Sequence, residues 1–166
     1  KLLALDRRHH VYDESRWKAK EMTVHESKIK RQYFHWKPLE RGQLANWRKY
    51  IEWTMKQEDN GELAVLTFER SLIPCALYDE FWIMYADFRE SRGETELAVG
   101  ILERANQIHC KQSANVAINL ASLLELQDQY EAALGILTSF DSHTVGNLMI
   151  YNRYIAILKR REIKYP

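Results

Sequence analysis

Carboxylate–guanidinium pairs, histidines and two cysteines are the side chains in this sequence whose chemistry a site could use. Glu69-Arg70 and Glu103-Arg104 each set an acid beside a permanent cation, a pairing suited to proton transfer or anion binding. The two pairs recur at equivalent places in a repeated tract, and a unique active site is not built twice. Salt bridges or hydrogen bonds to a neighbouring helix or loop are the expected role. His9-His10, His25, His35, His109 and His143 show no metal-ligand spacing, and His109-Cys110 is an isolated adjacent pair. Cys75 and Cys110 stand 35 residues apart, at equivalent places in successive repeats. Stacked helices lie about 8–10 Å apart, beyond the roughly 4.4–6.8 Å between the Cα atoms of a disulfide. They read as small apolar residues of a protein kept in a reducing compartment. With no Gly-rich phosphate loop, nucleophile elbow or triad, no catalytic, cofactor-binding or metal site is expected, and no enzyme.

Aromatic and basic clusters offer binding chemistry instead. Tyr33-Phe34-His35-Trp36 sits among Lys28, Lys30, Arg31 and Lys37. Four consecutive aromatic residues cannot all face one core. Either they plug the junction between a long helix and the first full repeat, or they form a docking patch for a protein or an RNA. On the second reading Tyr33, Phe34 and Trp36 are candidate partner contacts, and Lys28, Lys30 and Arg31 candidate RNA contacts. Trp47, Tyr50, Trp82 and Tyr85 could stack on bases. Their helical spacing and repetition in register place them in a helix–helix core. Lys159-Arg160-Arg161 reads as a nuclear address, a phosphate contact or a solvated helix end favoured by the helix dipole.

The elements that must position these residues come from an internal repeat. Trp47, Tyr50 and Trp53 recur 35 residues later as Trp82, Tyr85 and Phe88, and the tract Ala64–Arg70 recurs 34 residues later as Ala98–Arg104. A weaker third copy follows with Ala117, Leu120 and Leu123, then Ala133–Leu137, and a fourth begins at Tyr151, Tyr154 and Ile157. Apolar spacings of three and four residues predict helices over 43–58, 62–72, 77–91, 95–109, 113–127, 129–139 and 145–163. Polar punctuation at Asp59-Asn60-Gly61, Arg92-Gly93, Asp128-Gln129 and Ser142-His143-Thr144 separates them, and Pro74 falls between repeats. A charged stretch from Tyr12 to Lys30 reads as one long helix. Segment 1–40 is then a helix and connector from a preceding repeat, and 41–166 holds repeats of about 41–74, 75–109, 110–141 and a partial 142–166. The fold class is all-α, an α-α superhelix or solenoid of helical pairs, because one pair cannot bury its apolar face alone.

Composition agrees. Six Gly and three Pro in 166 residues leave too few breakers for an all-β chain. No apolar run is long enough to span a bilayer and no secretory signal opens the chain, so no membrane association is expected. It begins at Lys1 without an initiator Met and ends at Pro166, as a piece of a longer protein would. The net charge of +1 conceals an uneven distribution. Residues 1–41 carry 11 basic and 6 acidic groups, residues 42–150 carry 8 and 16, and residues 151–166 carry 5 and 1. Basic ends flank an acidic middle, as a solvated face or as surfaces for oppositely charged partners.

Trp47-Arg-Lys-Tyr50 with Phe68-Glu-Arg70, and Trp82-Ile-Met-Tyr85 with Leu102-Glu-Arg104, resemble the half-a-tetratricopeptide (HAT) repeat, a relative of the tetratricopeptide repeat (TPR) found in RNA-processing proteins. Ile29–Leu39, with its Tyr-Phe-His-x-Lys-Pro-Leu segment, Gln43–Trp47 and Cys75–Trp82 resemble the pre-mRNA-processing factor 39 family. That resemblance implies a nuclear, cofactor-free scaffold of the U1 small nuclear ribonucleoprotein (U1 snRNP), acting by protein–protein interaction in 5′ splice-site recognition in the spliceosome. It further implies homodimers, or heterodimers with a paralogue, through C-terminal repeats, with RNA contact secondary. If a dimer forms, Tyr151, Tyr154, Ile157 and Leu158 of the last helix, left uncovered where the repeats stop, are its expected contact; a following helix of the same chain would explain the same uncovered face. Trp47, Tyr50, Glu69, Arg70, Trp82, Tyr85, Glu103 and Arg104 form the structural repeat motif. The third repeat departs from it, with Ala117 for the Trp and Thr138-Ser139 for Glu-Arg. The alternative is an RNA-binding HAT/TPR-like protein of another RNA-processing complex.

Overall fold

The computed structural model describes residues 2–57, 61–140 and 147–164, and for residues 2–7, 14 and 147 the backbone alone. Asp59, Asn60 and the turn Ser142-His143-Thr144 lie outside the described residues. Among those described there are eight α-helices and no strand: α1 (Leu2–Glu26), α2 (Arg41–Met55), α3 (Glu62–Ser71), α4 (Asp79–Ser91), α5 (Thr95–Arg104), α6 (Ala114–Leu126), α7 (Tyr130–Thr138) and α8 (Asn147–Lys164). They form two compact units, one up to Pro74 with α1–α3 and one from Cys75 with α4–α8.

In the first unit α2 pairs with α3, and α1 lies against α2. The buried residues of α2 include Trp47, Tyr50, Ile51 and Thr54, and those of α3 are Ala64, Thr67, Phe68 and Ser71. Both sets follow the i, i+3, i+4, i+7 spacing that gathers side chains on one helix face. The aliphatic hydroxyls among them donate to their own helix backbone, Thr54 to Ile51 O at 2.8 Å, Thr67 to Leu63 O at 2.8 Å and Ser71 to Phe68 O at 2.7 Å, so none of these three is stranded. The first helix differs from the expected 12–30. It starts ten residues earlier and stops at Glu26. There the bonds shorten to i−3, from Lys28 N–H to His25 O and from Ile29 N–H to Glu26 O, both 3.1 Å. Gln43 and Asn46 of α2 donate to Lys28 O, and Ile29 is drawn into the core. Tertiary capture ends the helix.

The second unit pairs α4 with α5 and α6 with α7; α6 also touches α4, α5 and α8. Surrounded in this way, α6 buries Val116, Ala117, Leu120, Ala121, Leu123 and Leu124 around most of its circumference. The second helix of each of the three pairs holds an alanine with no exposed surface, Ala64, Ala98 and Ala133, where a small side chain lets the helices close. The turns after α4 and α6 share one geometry. Glu94 N–H bonds to Arg89 O at 3.0 Å and Gln129 N–H to Leu124 O at 2.9 Å, each closing a helix C-terminus over one left-handed residue. Gly93 (φ 77°) fills that position after α4, and Asp128 (φ 61°) fills it after α6. The predicted helix 95–109 is α-helical only to Arg104 and continues as a π-helical turn, Ala105–His109, closed by Cys110 N–H on Ala105 O at 2.7 Å.

The basic C-terminus meets the acidic middle inside this unit. Arg153 and Arg160 both bond to Glu125, at 3.0 and 2.5 Å; Arg161 pairs with Glu131 at 2.5 Å, and Lys164 with Asp128. Two members of the Lys159-Arg160-Arg161 run are therefore engaged within the fold.

Candidate functional site

Trp47, Tyr50, Trp82 and Tyr85 are all buried, with rings closed against neighbours rather than offered to bases. In the first unit His25, at the end of α1, stacks on Tyr50 at 5.4 Å and lies 5.2 Å from Trp53. Burial and the nearby Lys28 charge lower the His25 pKa, keeping the ring neutral in this stack. The Tyr50 hydroxyl donates to Glu26 Oε1 at 2.8 Å, and Arg70 grips both oxygens of the same carboxylate at 2.6 and 3.0 Å. The Arg70 hydrogen bond holds the Glu26 carboxyl below its ordinary range, while burial and the neighbouring carboxylate push Tyr50 up to about 12. Tyr50 and Arg70 thus tie α2 and α3 to the preceding helix through Glu26. Glu69 and Glu103 are exposed.

In the second unit Trp82 Nε1 donates to Ala76 O at 2.9 Å, Arg104 lies 4.9 Å over the Trp82 ring, and His109 stacks on that ring at 5.3 Å. Tyr85 accepts from Arg89 at 3.3 Å. Cys110 Sγ approaches Ala76 O at 3.6 Å. Both cysteines are buried and neither is in a disulfide, and burial pushes the Cys110 thiol up to about 11. Beside them an open groove of about 740 Å³ is lined by Leu77, Asp79, His109, Cys110, Ser113 and Met149 among others. Ser113 donates to Asp79 at 2.7 Å and its oxygen caps α6 at Val116 N–H, so these polar groups serve helix ends. Among the described residues no group of three or more His, Cys, Asp or Glu is disposed to hold a metal ion, and no helix is long and apolar enough to cross a membrane.

Of the surfaces that carry outward apolar side chains, two hold the residues that the sequence singled out as partner contacts. The connector between α1 and α2 is built from the inside. Ile29 and Leu39 are buried and do the sealing, the Gln43 side chain accepts from Lys30 N–H at 2.9 Å, and Arg31 reaches across to Lys37 O at 2.9 Å. Tyr33, Phe34 and Trp36 are not a plug: they are 62%, 54% and 75% exposed. Lys28, Lys30 and Lys37 are exposed on the same connector, whereas Arg31 is drawn back into its fold. The other surface is α8. Its anchors are Ile150 and Ile157, both buried; Tyr154 and Leu158 are half-buried, and the outward face carries Leu148, Tyr151 and Ile155. Of the four expected contact residues, only Tyr151 is exposed. Ile157 turns inward because α8 packs on both α6 and α7.

Glu26, Gln43 and Glu125 organise these arrangements and escaped the sequence reading. Gln43 carried a signal: a polar residue one turn before Trp47 on an otherwise apolar face needs a partner to bury. Glu26 and Glu125 carried none, since their partners lie 44 and 35 residues away.

A family model described as the PRP39 C-terminal HAT repeat matches residues 20–161. The chain is 38% identical over 135 residues to pre-mRNA-processing factor 39 of Homo sapiens, covering 81% of this chain and 20% of that protein. Against pre-mRNA-processing factor 39 of Schizosaccharomyces pombe it is 36% identical over 142 residues, 84% of this chain and 23% of the relative. Against pre-mRNA-processing factor 39-2 of Arabidopsis thaliana it is 43% identical over 103 residues, 62% and 10% respectively. The chain spans about a fifth of the length of the human and fission-yeast relatives.

Proposed function

Because the chain belongs to the PRP39 family of non-enzymatic HAT-repeat splicing factors, we propose that it is a scaffold segment of a nuclear, U1 snRNP-associated protein acting in 5′ splice-site recognition. The observation that carries this reading is the division of labour among its side chains. The repeat aromatics and Arg70 are used inside the helix pairs, while other apolar and aromatic side chains, among them Tyr33, Trp36, Leu148 and Tyr151, stay exposed. Such a surface suits protein–protein contact. Affinity purification from nuclear extract with the tagged chain tests it: U1 snRNP proteins should co-purify. Recovery of a different RNA-processing complex by the folded chain would transfer the function there, to the HAT/TPR-like alternative.

Self-association belongs to the same reading. Leu148, Tyr151 and Ile155 on α8 supply an apolar face for a second copy or a paralogue. Light scattering across micromolar concentrations should show a dimer that Tyr151→Glu dissociates. A strict monomer over that range would remove dimerisation from the proposal for this segment.

A further inference from the structure

We infer that the connector between α1 and α2 binds single-stranded RNA, with Tyr33 and Trp36 stacking on bases and Lys28, Lys30 and Lys37 contacting phosphates. Three observations converge. First, the loop is ordered from within: Ile29 and Leu39 are buried, Gln43 bonds to both Lys28 O and Lys30 N–H, and Arg31 braces Lys37 O. The loop is thus anchored by its buried residues and backbone bonds, which hold the exposed rings in place before any ligand arrives. Second, Tyr33, Phe34 and Trp36 each leave more than half their surface in water, with the His35 ring 5.7 Å from the Trp36 ring as backing. Exposed rings on a braced backbone are the platform that base stacking uses. Third, Ser27–Leu39 holds four cations and no carboxylate. Lys37 Nζ lies over the Trp36 ring, 5.8 Å from its centroid, so a base stacking on that face swings the ammonium aside, within reach of its phosphate.

Charge decides the occupant. A basic, acid-free aromatic surface complements a polyanion with accessible π-faces, which a single strand presents and a duplex conceals. The choice of RNA over DNA rests on the family of splicing factors to which the chain belongs. The stacking argument is independent of any U1 snRNP partner.

The test uses the purified chain and a fluorescent oligouridine of about 12 nucleotides, within the site sizes of single-strand binders. Anisotropy should show binding that weakens steeply with salt. Tyr33→Ala with Trp36→Ala should weaken it at least about tenfold, and loss of three lysines (Lys28→Gln, Lys30→Gln, Lys37→Gln) should flatten the log–log salt slope by about 2. An adenosine–uridine duplex of the same length should bind at least about tenfold more weakly. Arg16→Gln with Lys20→Gln, on the exposed surface of α1, should change little. Unchanged melting temperatures establish that each variant folds. Equal losses in the α1 control, a duplex bound as tightly as the single strand, or indifference to the aromatic pair would each overturn the inference. So would variants that keep RNA affinity but lose U1 snRNP proteins on purification, because the connector would then dock protein. Failure to capture U1 proteins with RNA binding intact would count against the scaffold reading alone.

Discussion

The Trp-x-x-Tyr and Glu-Arg residues sit at matching helical positions in both units, yet their polar groups end on different partners. Tyr50 and Arg70 converge on Glu26, a carboxylate from the helix before the pair. Tyr85 accepts instead from Arg89, one turn along its own helix, and Arg104 lies over the Trp82 ring. The indoles differ too. Trp82 donates to Ala76 O, whereas the equally buried Trp47 Nε1 has no acceptor among the described residues. Spacing within a helix settles which side chains are buried; what their polar atoms meet is settled by whatever the chain places beside each pair.

The strongest test of that distinction removes the shared part. Trp47→Ala and Trp82→Ala should each cost about 3–5 kcal/mol in denaturant unfolding, since both empty a fully packed site. Milder substitutions should separate them. Trp82→Phe should cost about 1 kcal/mol more than Trp47→Phe, because only the first takes a donor away from a buried carbonyl. Equal costs would mean that the Trp82 hydrogen bond adds nothing net.

Arg70 comes next. Arg70→Lys gives up a two-pronged grip on Glu26 and should cost about 1 kcal/mol, after allowance for a side chain 42% exposed. No measurable loss would mean that this grip adds nothing net to the first unit.

Titration distinguishes the two units at the alkaline end. The fold favours protonated Tyr50 and protonated Cys110, with values pushed up to about 12 and about 11. Their contributions are complete below the ordinary values of 10.0 and 9.0 and are lost as pH rises through the shifted ones. A pH series of thermal melts should therefore fall in two parts, Cys110→Ala flattening the earlier and Tyr50→Phe the later. At the acid end Glu26 and Glu125 are held low by hydrogen bonds from Arg70 and Arg160, and His25 is held neutral by burial. Stability from all three is present at neutral pH and is lost as pH falls, His25 first.

Effects of about 1 kcal/mol or less belong also to the matched turns. Gly93→Ala forces a side chain into a left-handed backbone and should cost about 1 kcal/mol. Asp128→Gly relieves that strain but gives up the ion pair with Lys164, and should stay within about 0.5 kcal/mol of the parent.

Much of the helical order was legible because apolar spacing is local: the buried faces of α2 and α3 follow from residues three and four apart. Helix ends were less legible. α1 stops where Gln43 and Asn46 seize Lys28 O, and neither residue is near it in sequence. The connector aromatics misled on one of their two readings, since sealing needed only Ile29 and Leu39. On α8 the inward side was misread because a final, partial repeat has no following copy to calibrate it. The basic C-terminal run looked like an outward feature for a similar reason. Its carboxylate partners lie some thirty residues back, and only packing of α8 on α6 and α7 brings them together.

The placement of the cysteines and tryptophans has a practical consequence. Both thiols, buried and outside any disulfide, belong to the second unit, while Trp17, Trp36, Trp47 and Trp53 belong to the first and Trp82 alone to the second. Cys110 lines the open groove, but a thiol reagent reaches Cys75, which has no exposed surface, when the second unit opens, so alkylation at Cys75 times that event. Indole emission follows mainly the first. The unaltered chain carries a separate clock for each half.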